Sequence, residues 1–265
     1  MIMHRLLISA ILLGSCTDDH ATLDVRIYGE ELIEVGIPAD VFVDGWALRY
    51  EKFLVSVGEV EAQRDGVEGG LSEPNYQVFD LTRPSEGAGQ RVASEPVVDG
   101  RYDATQFVIG PAADALAGNA SAADLETMRA GGYSLYAAGQ ATKGDVTMRF
   151  AWGFATRTRY TACESLAEVG GAPARIELTI HGDHLFYDDL FSSTPNISFD
   201  LVANADADGD GEVTQAELLA VDLRPLANYQ VGSTDIVDLW HFIEQKTTAV
   251  GHIDGEGHCE AARES

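Results

Sequence analysis

The stretch DADGDGEVTQAE at 206–217 places four carboxylates, Asp206, Asp208, Asp210 and Glu217, within twelve residues. Carboxylate oxygens are hard donors, and a chain that curls delivers them from alternate positions into one small space. Four such groups crowded together without a cation repel one another and raise their own proton affinities. The chemistry this pattern supports is the binding of a hard divalent ion, Ca²⁺, which takes about six to eight oxygens at about 2.3–2.6 Å. Gly211 stands where the chain must turn sharply and where a Cβ would obstruct it. The alternative is a solvated acidic turn without a ligand.

The same stretch matches D-x-[DN]-x-[DN]-G-x5-E and resembles the calcium loop of the EF-hand family. The resemblance covers about 25 residues, under a tenth of the chain. It implies side-chain ligation by Asp206, Asp208 and Asp210, and backbone carbonyl ligation by Glu212. It also implies a hydroxyl or an intervening water at Thr214 and a bidentate Glu217 from the first turn of the exit helix. Val213 would make the short backbone pairing seen between loops in such modules. Phe199–Ala205 would be the entering helix and Glu217–Val221 the exiting one. No second loop matches, and two of the 4 methionines, Met1 and Met3, fall in the N-terminal leader, so a Met-rich sensor groove has no material. A structural ion, bound at about 10⁻⁴–10⁻³ M, is expected over a switch.

Two further segments concentrate metal-ligand types: HGDHLFYDD at 181–189 and HIDGEGH at 252–258. Imidazole with carboxylate suits Zn, Cu, Fe or Ni. The candidate ligands are His181, Asp183, His184, Asp254 and His258. On a regular strand residues 181 and 184 point to opposite faces, so they converge only if Gly182-Asp183 makes a turn or bulge. The competing reading has these histidines hydrogen-bonded to Asp183, Asp188 or Asp254, fixing loops. His241, beside Trp240 in a helical pattern, reads as structural.

The elements that must position these groups are mainly strands. Residues 22–28 alternate apolar and polar with a period of two. Residues 41–62 continue in that style, with Gly45 and Gly58 as bends or bulges. Further strands are expected at Tyr76–Leu81, Tyr102–Ile109, Tyr133–Ala141, Val146–Phe154 and Arg175–His181, with a hairpin turn at 142–145. Loops are expected at 64–75 and 83–100. Within 111–132, Ser121 with Asp124 three residues on resembles a capping box, and Gly131-Gly132 stops a short helix. From Ser198 the periodicity turns helical. The expected architecture is mainly β: an antiparallel β-sandwich over 22–195, an EF-hand-type helix–loop–helix over 196–224, and a C-terminal helix and tail over 225–265.

The N-terminus reads as an export signal over 1–15, with an apolar run from Leu6 to Leu13 too short to span a bilayer. It ends in Leu13-Gly14-Ser15-Cys16, which resembles the lipobox of bacterial lipoproteins. That resemblance implies acylation of Cys16 and a tether over 16–21; the alternative is a short buried helix with a chance cysteine. Removing Cys16 leaves Cys163 and Cys259, an even pair in an exported chain, where disulfides persist. Two free thiols or a thiolate metal site are the alternatives, the latter weakened by the lack of a CxxC spacing.

The chain of 265 residues carries 17 Lys+Arg against 43 Asp+Glu, a net charge of −26. That balance counts against nucleic acid and polybasic attachment to anionic lipid, and favours cations as partners. No HExxH, GxSxG, Walker loop or strand-linked GxGxxG is present, so no enzyme class is indicated. Taken together, the lipobox, the β-rich body, the FAWGF–Tyr160–Cys163 region, TIHGDHLFYDDL, the calcium loop and the terminal HIDGEGHC resemble a group of uncharacterised Gram-negative lipoproteins. That resemblance implies no activity. A second likeness, in the β-body and the Cys/His-containing end, is to the MbnP-like periplasmic proteins and implies copper handling, without transferring any copper ligand. The functional expectation is a lipid-anchored, calcium-binding protein of the cell envelope, facing the periplasm or the cell surface. The alternative is a periplasmic copper- or zinc-handling protein or metalloenzyme using His181, His184 and His258.

Overall fold

The alternation at residues 22–28 buries Leu23, Val25 and Ile27 completely, while Thr22, Asp24 and Arg26 stay half-buried. This stretch opens a mainly β fold. The computed structural model describes residues 20–64 and 67–264; the expected export signal and the expected acylation site Cys16 lie outside the described residues. Among those residues no helix is long and apolar enough to cross a membrane.

The chain runs through β1 (His20–Tyr28), α1 (Glu30–Glu34), the long β2 (Ala47–Arg64), β3 (Val67–Glu73) and β4 (Gln77–Asp80). It continues through β5 (Gln90–Val98), β6 (Gly100–Tyr102), β7 (Ala104–Ile109), β8 (Leu116–Ala117) and α2 (Ala122–Gly131). The hairpin β9 (Leu135–Lys143) and β10 (Val146–Phe154) follows, then β11 (Arg157–Cys163), β12 (Ala167–Val169) and β13 (Ala174–Ile180). The last third holds α3 (Asp200–Ala203), β14 (Glu212–Val213), α4 (Gln215–Ala220), α5 (Leu239–Lys246), β15 (Gly251–Ile253) and β16 (Glu260–Glu264).

Among the described residues these strands form a four-stranded sheet in the order β15-β13-β1-β5, a larger curled sheet whose main path is β14-β10-β9-β2-β7-β11-β16, and a two-stranded sheet of β12 and β6. The curl follows from β2, which pairs with β9 through its first half and with β7 through its second, across register shifts at 50–52 and 58–61. The expectation of a purely antiparallel fold needs correction: β1 runs parallel to β13, β10 to β14 and β4 to β8. These partners are far apart in sequence and meet through long connections, which alternation within one strand does not reveal.

The turn expected at 142–145 is a tight Gly144-Asp145 connection, with Val146 facing Lys143. The capping box is present too: Ser121 accepts from the Asp124 N–H, and Gly132 ends α2 in the left-handed conformation. The loops expected at 64–75 and 83–100 are instead largely the strands β3 and β5. In β3, Leu71 is the buried apolar side chain among the described ones, and the strand is held by backbone pairing to β2. In β5 only Val92 and Val97 are buried, and Pro96 is tolerated because the strand lies at a sheet edge. β16 buries no side chain. It adds to β11 by backbone pairing and by Glu264, whose carboxylate accepts from Arg157 Nε at 2.6 Å and Arg159 Nε at 2.7 Å.

Core side chains from the last third, among them Phe199, Val202, Val213, Leu218 and Phe242, share one cluster with Leu23, Phe53, Phe107 and the β13 residues Ile176, Leu178 and Ile180. The helical last third is thus packed on the β body. Phe150 links the aromatic part of this cluster, with Trp152 at 4.6 Å, Phe186 at 6.1 Å and Phe199 at 6.4 Å between ring centroids. On α5, Trp240 stacks on Phe154 at 4.9 Å, and His241 is held by the Asp238 carboxylate at 2.8 Å, in keeping with a structural histidine.

Candidate metal centres

The carboxylates of Asp206, Asp208 and Asp210 converge, each offering an oxygen within 4.8 Å of the others. The backbone makes this possible. Gly209 and Gly211 take φ of +75° and +78°, and the carboxylates fold the loop by accepting its own N–H groups. Asp206 accepts from Gly209 at 2.8 Å and Gly211 at 3.0 Å; Asp210 accepts from Glu212 at 2.7 Å. Glu217 reaches back across the loop: one oxygen accepts from Ala207 N at 2.9 Å and the other from Thr214 N at 2.9 Å and Thr214 Oγ at 2.8 Å. Those donors hold the Glu217 carboxyl below its ordinary value, so it is ionised at neutral pH.

The entering helix is shorter than the sequence suggests, and the exit helix is one residue longer and starts earlier. The entering helix is α3, four residues rather than Phe199–Ala205, and the exit helix α4 starts at Gln215, before Glu217. The entering turn is fixed from outside: Asp44 Oδ2 accepts from Ser198 Oγ and from the N–H groups of Phe199 and Asp200 at 2.6–2.8 Å. Trp46 Nε1 donates to Asp200 at 2.7 Å. The pairing expected of Val213 is made to the large sheet and not to a second loop. β14 lies parallel to β10, Arg149 N donates to Gly211 O at 2.8 Å, and Trp152 Nε1 donates to Val213 O at 2.8 Å.

The histidines assemble at the C-terminal end of β13. Gly182 packs where a Cβ would come within 2.7 Å of Ile33, and its carbonyl accepts from Tyr50 Oη at 2.7 Å. The chain then turns through a 3₁₀ segment, Asp183–Phe186, which folds His184 back over His181 with ring centroids 4.8 Å apart. The turn required at Gly182-Asp183 is thus present. From β15, paired with β13 so that His252 faces Thr179, the His252 ring reaches within 4.5 Å of His181 and 5.3 Å of His184. Two trios share His181: His181, Asp183 and His184, and His181, His252 and Glu256, each with ligand atoms within 4.8 Å.

His252 and Glu256 are absent from the ligands expected on sequence, and Asp254 is not part of the cluster. Asp254 has φ of +47°, where the chain leaves β15 in a turn that Ile253 and Gly257 close by mutual hydrogen bonds at 2.9 and 3.1 Å. Strand alternation ends there, and the Asp254 carboxylate accepts instead from Glu177 N and Leu166 N, both at 3.0 Å. His258 stands apart, its ring 6.1 Å from that of His252. The signal that could have found His252 is its place one strand over from His181, which needs the β13–β15 pairing.

Burial governs the charge of this cluster. It pushes His184 down to about 3, aided by His181, and lowers His252; both are neutral imidazoles at pH 7. Burial raises Asp183 and Glu30, against the pull of His181. Cys163 and Cys259 are disulfide-bonded, with Cα atoms 4.2 Å apart, which fixes the chain immediately after His258. No family model, curated protein or solved structure matches this chain.

Proposed function

We propose that this chain is an exported, lipid-anchored protein of the cell envelope that binds Ca²⁺, the ion serving as a structural part of its last third. The fold is read accordingly as a β-sandwich body carrying an EF-hand-type helix–loop–helix. The observation that carries the reading is the convergence of Asp206, Asp208 and Asp210 in a loop that Glu217 closes from the exit helix. These ligands offer oxygen donors alone, which suits a hard ion. With β10 filling the place of a partner loop, ion binding tightens a loop on a rigid sheet and opens no groove.

Titration of the purified chain should find one Ca²⁺ at about 10⁻⁴–10⁻³ M. At about 1 mM, Ca²⁺ should then add about 0.4–1.4 kcal/mol by mass action, raising Tm by about 1–6 °C over chelator. Asp206→Ala and Glu217→Gln should each remove that gain. Equal melting temperatures of the parent chain in calcium and in chelator reject the structural ion. The anchor has a separate test: Cys16→Ser should move the protein from the membrane fraction to the soluble one, and an unchanged distribution rejects acylation there.

A further inference from the structure

We propose that His181, His184 and His252, with a carboxylate from Asp183 or Glu256, bind one divalent transition ion of the Zn²⁺ or Cu²⁺ class, independently of the calcium loop. Three observations converge on it. First, the ligand atoms are gathered in two trios that share His181, each within 4.8 Å. Bonds of about 2.0–2.2 Å place ligand atoms of a tetrahedral ion about 3.3–3.6 Å apart, within reach of small side-chain rotations.

Second, the atoms left over are the ones a metal would use. His181 Nε2, Asp183 Oδ1 and His252 Nδ1 are buried without a hydrogen-bond partner. His181 and Asp183 are only 4% and 6% exposed. An unsatisfied buried polar atom costs about 1–3 kcal/mol, and three in one cluster have no account in packing alone.

Third, the outer contacts orient the rings for ligation. His184 Nδ1 lies 2.7 Å from Ala249 O. A carbonyl can only accept, so that nitrogen carries the proton and Nε2 of the neutral ring keeps its lone pair. His181 Nδ1 faces Glu30 Oε2 at 3.6 Å, longer than a hydrogen bond, which places a carboxylate behind the imidazole where a small approach would let it orient a metal-bound histidine.

The donor set decides the class of ion. Three imidazoles and one carboxylate suit a borderline cation and offer too few oxygens for Ca²⁺. One side opens on a cavity of about 360 Å³ lined by His184, His252, Glu256 and His258, which gives the ion a way in. His258 also lines it but belongs to neither trio and is assigned no ligand role.

The test is calorimetric titration of the full, disulfide-bonded chain with Zn²⁺, and separately with Cu²⁺, in millimolar Ca²⁺. One ion should bind, and His181→Ala and His252→Ala should each weaken it by about 100-fold or more, at or above the roughly 10–100-fold that loss of a ligand's outer partner costs. Asp206→Ala and His241→Ala should leave it unchanged, which separates this site from the calcium loop. The Cu²⁺ form should show nitrogen hyperfine splitting in its paramagnetic resonance spectrum, altered in His252→Gln, whose fold is checked by near-ultraviolet dichroism. No stoichiometric binding overturns the proposal, as does binding that survives the loss of both His181 and His252, or that Ca²⁺ displaces.

Discussion

Replacing Cys163 and Cys259 together by alanine is expected to lower the unfolding free energy by about 4–5 kcal/mol. The two residues are 96 apart in sequence, and closing a loop of that length removes much of the freedom of the unfolded chain. Cys163 is fully buried, so alanine adds no polar group there, and the small void makes a minor further loss. The midpoint of thermal unfolding should fall by about 8–20 °C, and reduction of the parent protein should reproduce most of it. A fall of only a degree or two would mean that the pairing of β11 with β16 holds the tail without the covalent link.

Trp152→Ala should cost about 3–5 kcal/mol, the range for emptying a large buried aromatic site. Trp152 is 1% exposed and packs against Phe150 and Phe186. Its more informative variant is Trp152→Phe, which keeps a ring in place and deletes the donor to Val213 O. That carbonyl is then left without the partner, a loss of about 1–3 kcal/mol, part of which falls on the acidic loop that contains Val213, the proposed calcium site. Calcium affinity should drop by about 3- to 10-fold as this anchor of the loop loosens. Denaturant unfolding measures the first effect and calorimetric titration the second; an affinity unchanged in Trp152→Phe would show that the loop is shaped without help from the sheet.

The contrast between the two candidate centres shows what a sequence can express. The acidic loop is legible because its carboxylates, its turn at Gly211 and its closing Glu217 lie within twelve residues, so spacing alone encodes the geometry. The histidine cluster is half legible. His181 and His184 need only a local turn, but His252 joins them through strand pairing, and Asp254 leaves them because the chain reverses at φ +47°. Strands with buried alternation, such as β1 and β9, declare themselves. Those held by backbone bonds and ion pairs do not: β16 exposes nearly every side chain, and its hold on Arg157 and Arg159 is invisible to periodicity.

β1 is bonded on both flanks, to β13 from Leu23 to Tyr28 and to β5 from His20 to Ile27. A pull applied ahead of His20 would enter a strand held by backbone hydrogen bonds on both sides. A tether attached there would load two ladders together, one of them shared with the strand that leads into the His181 turn.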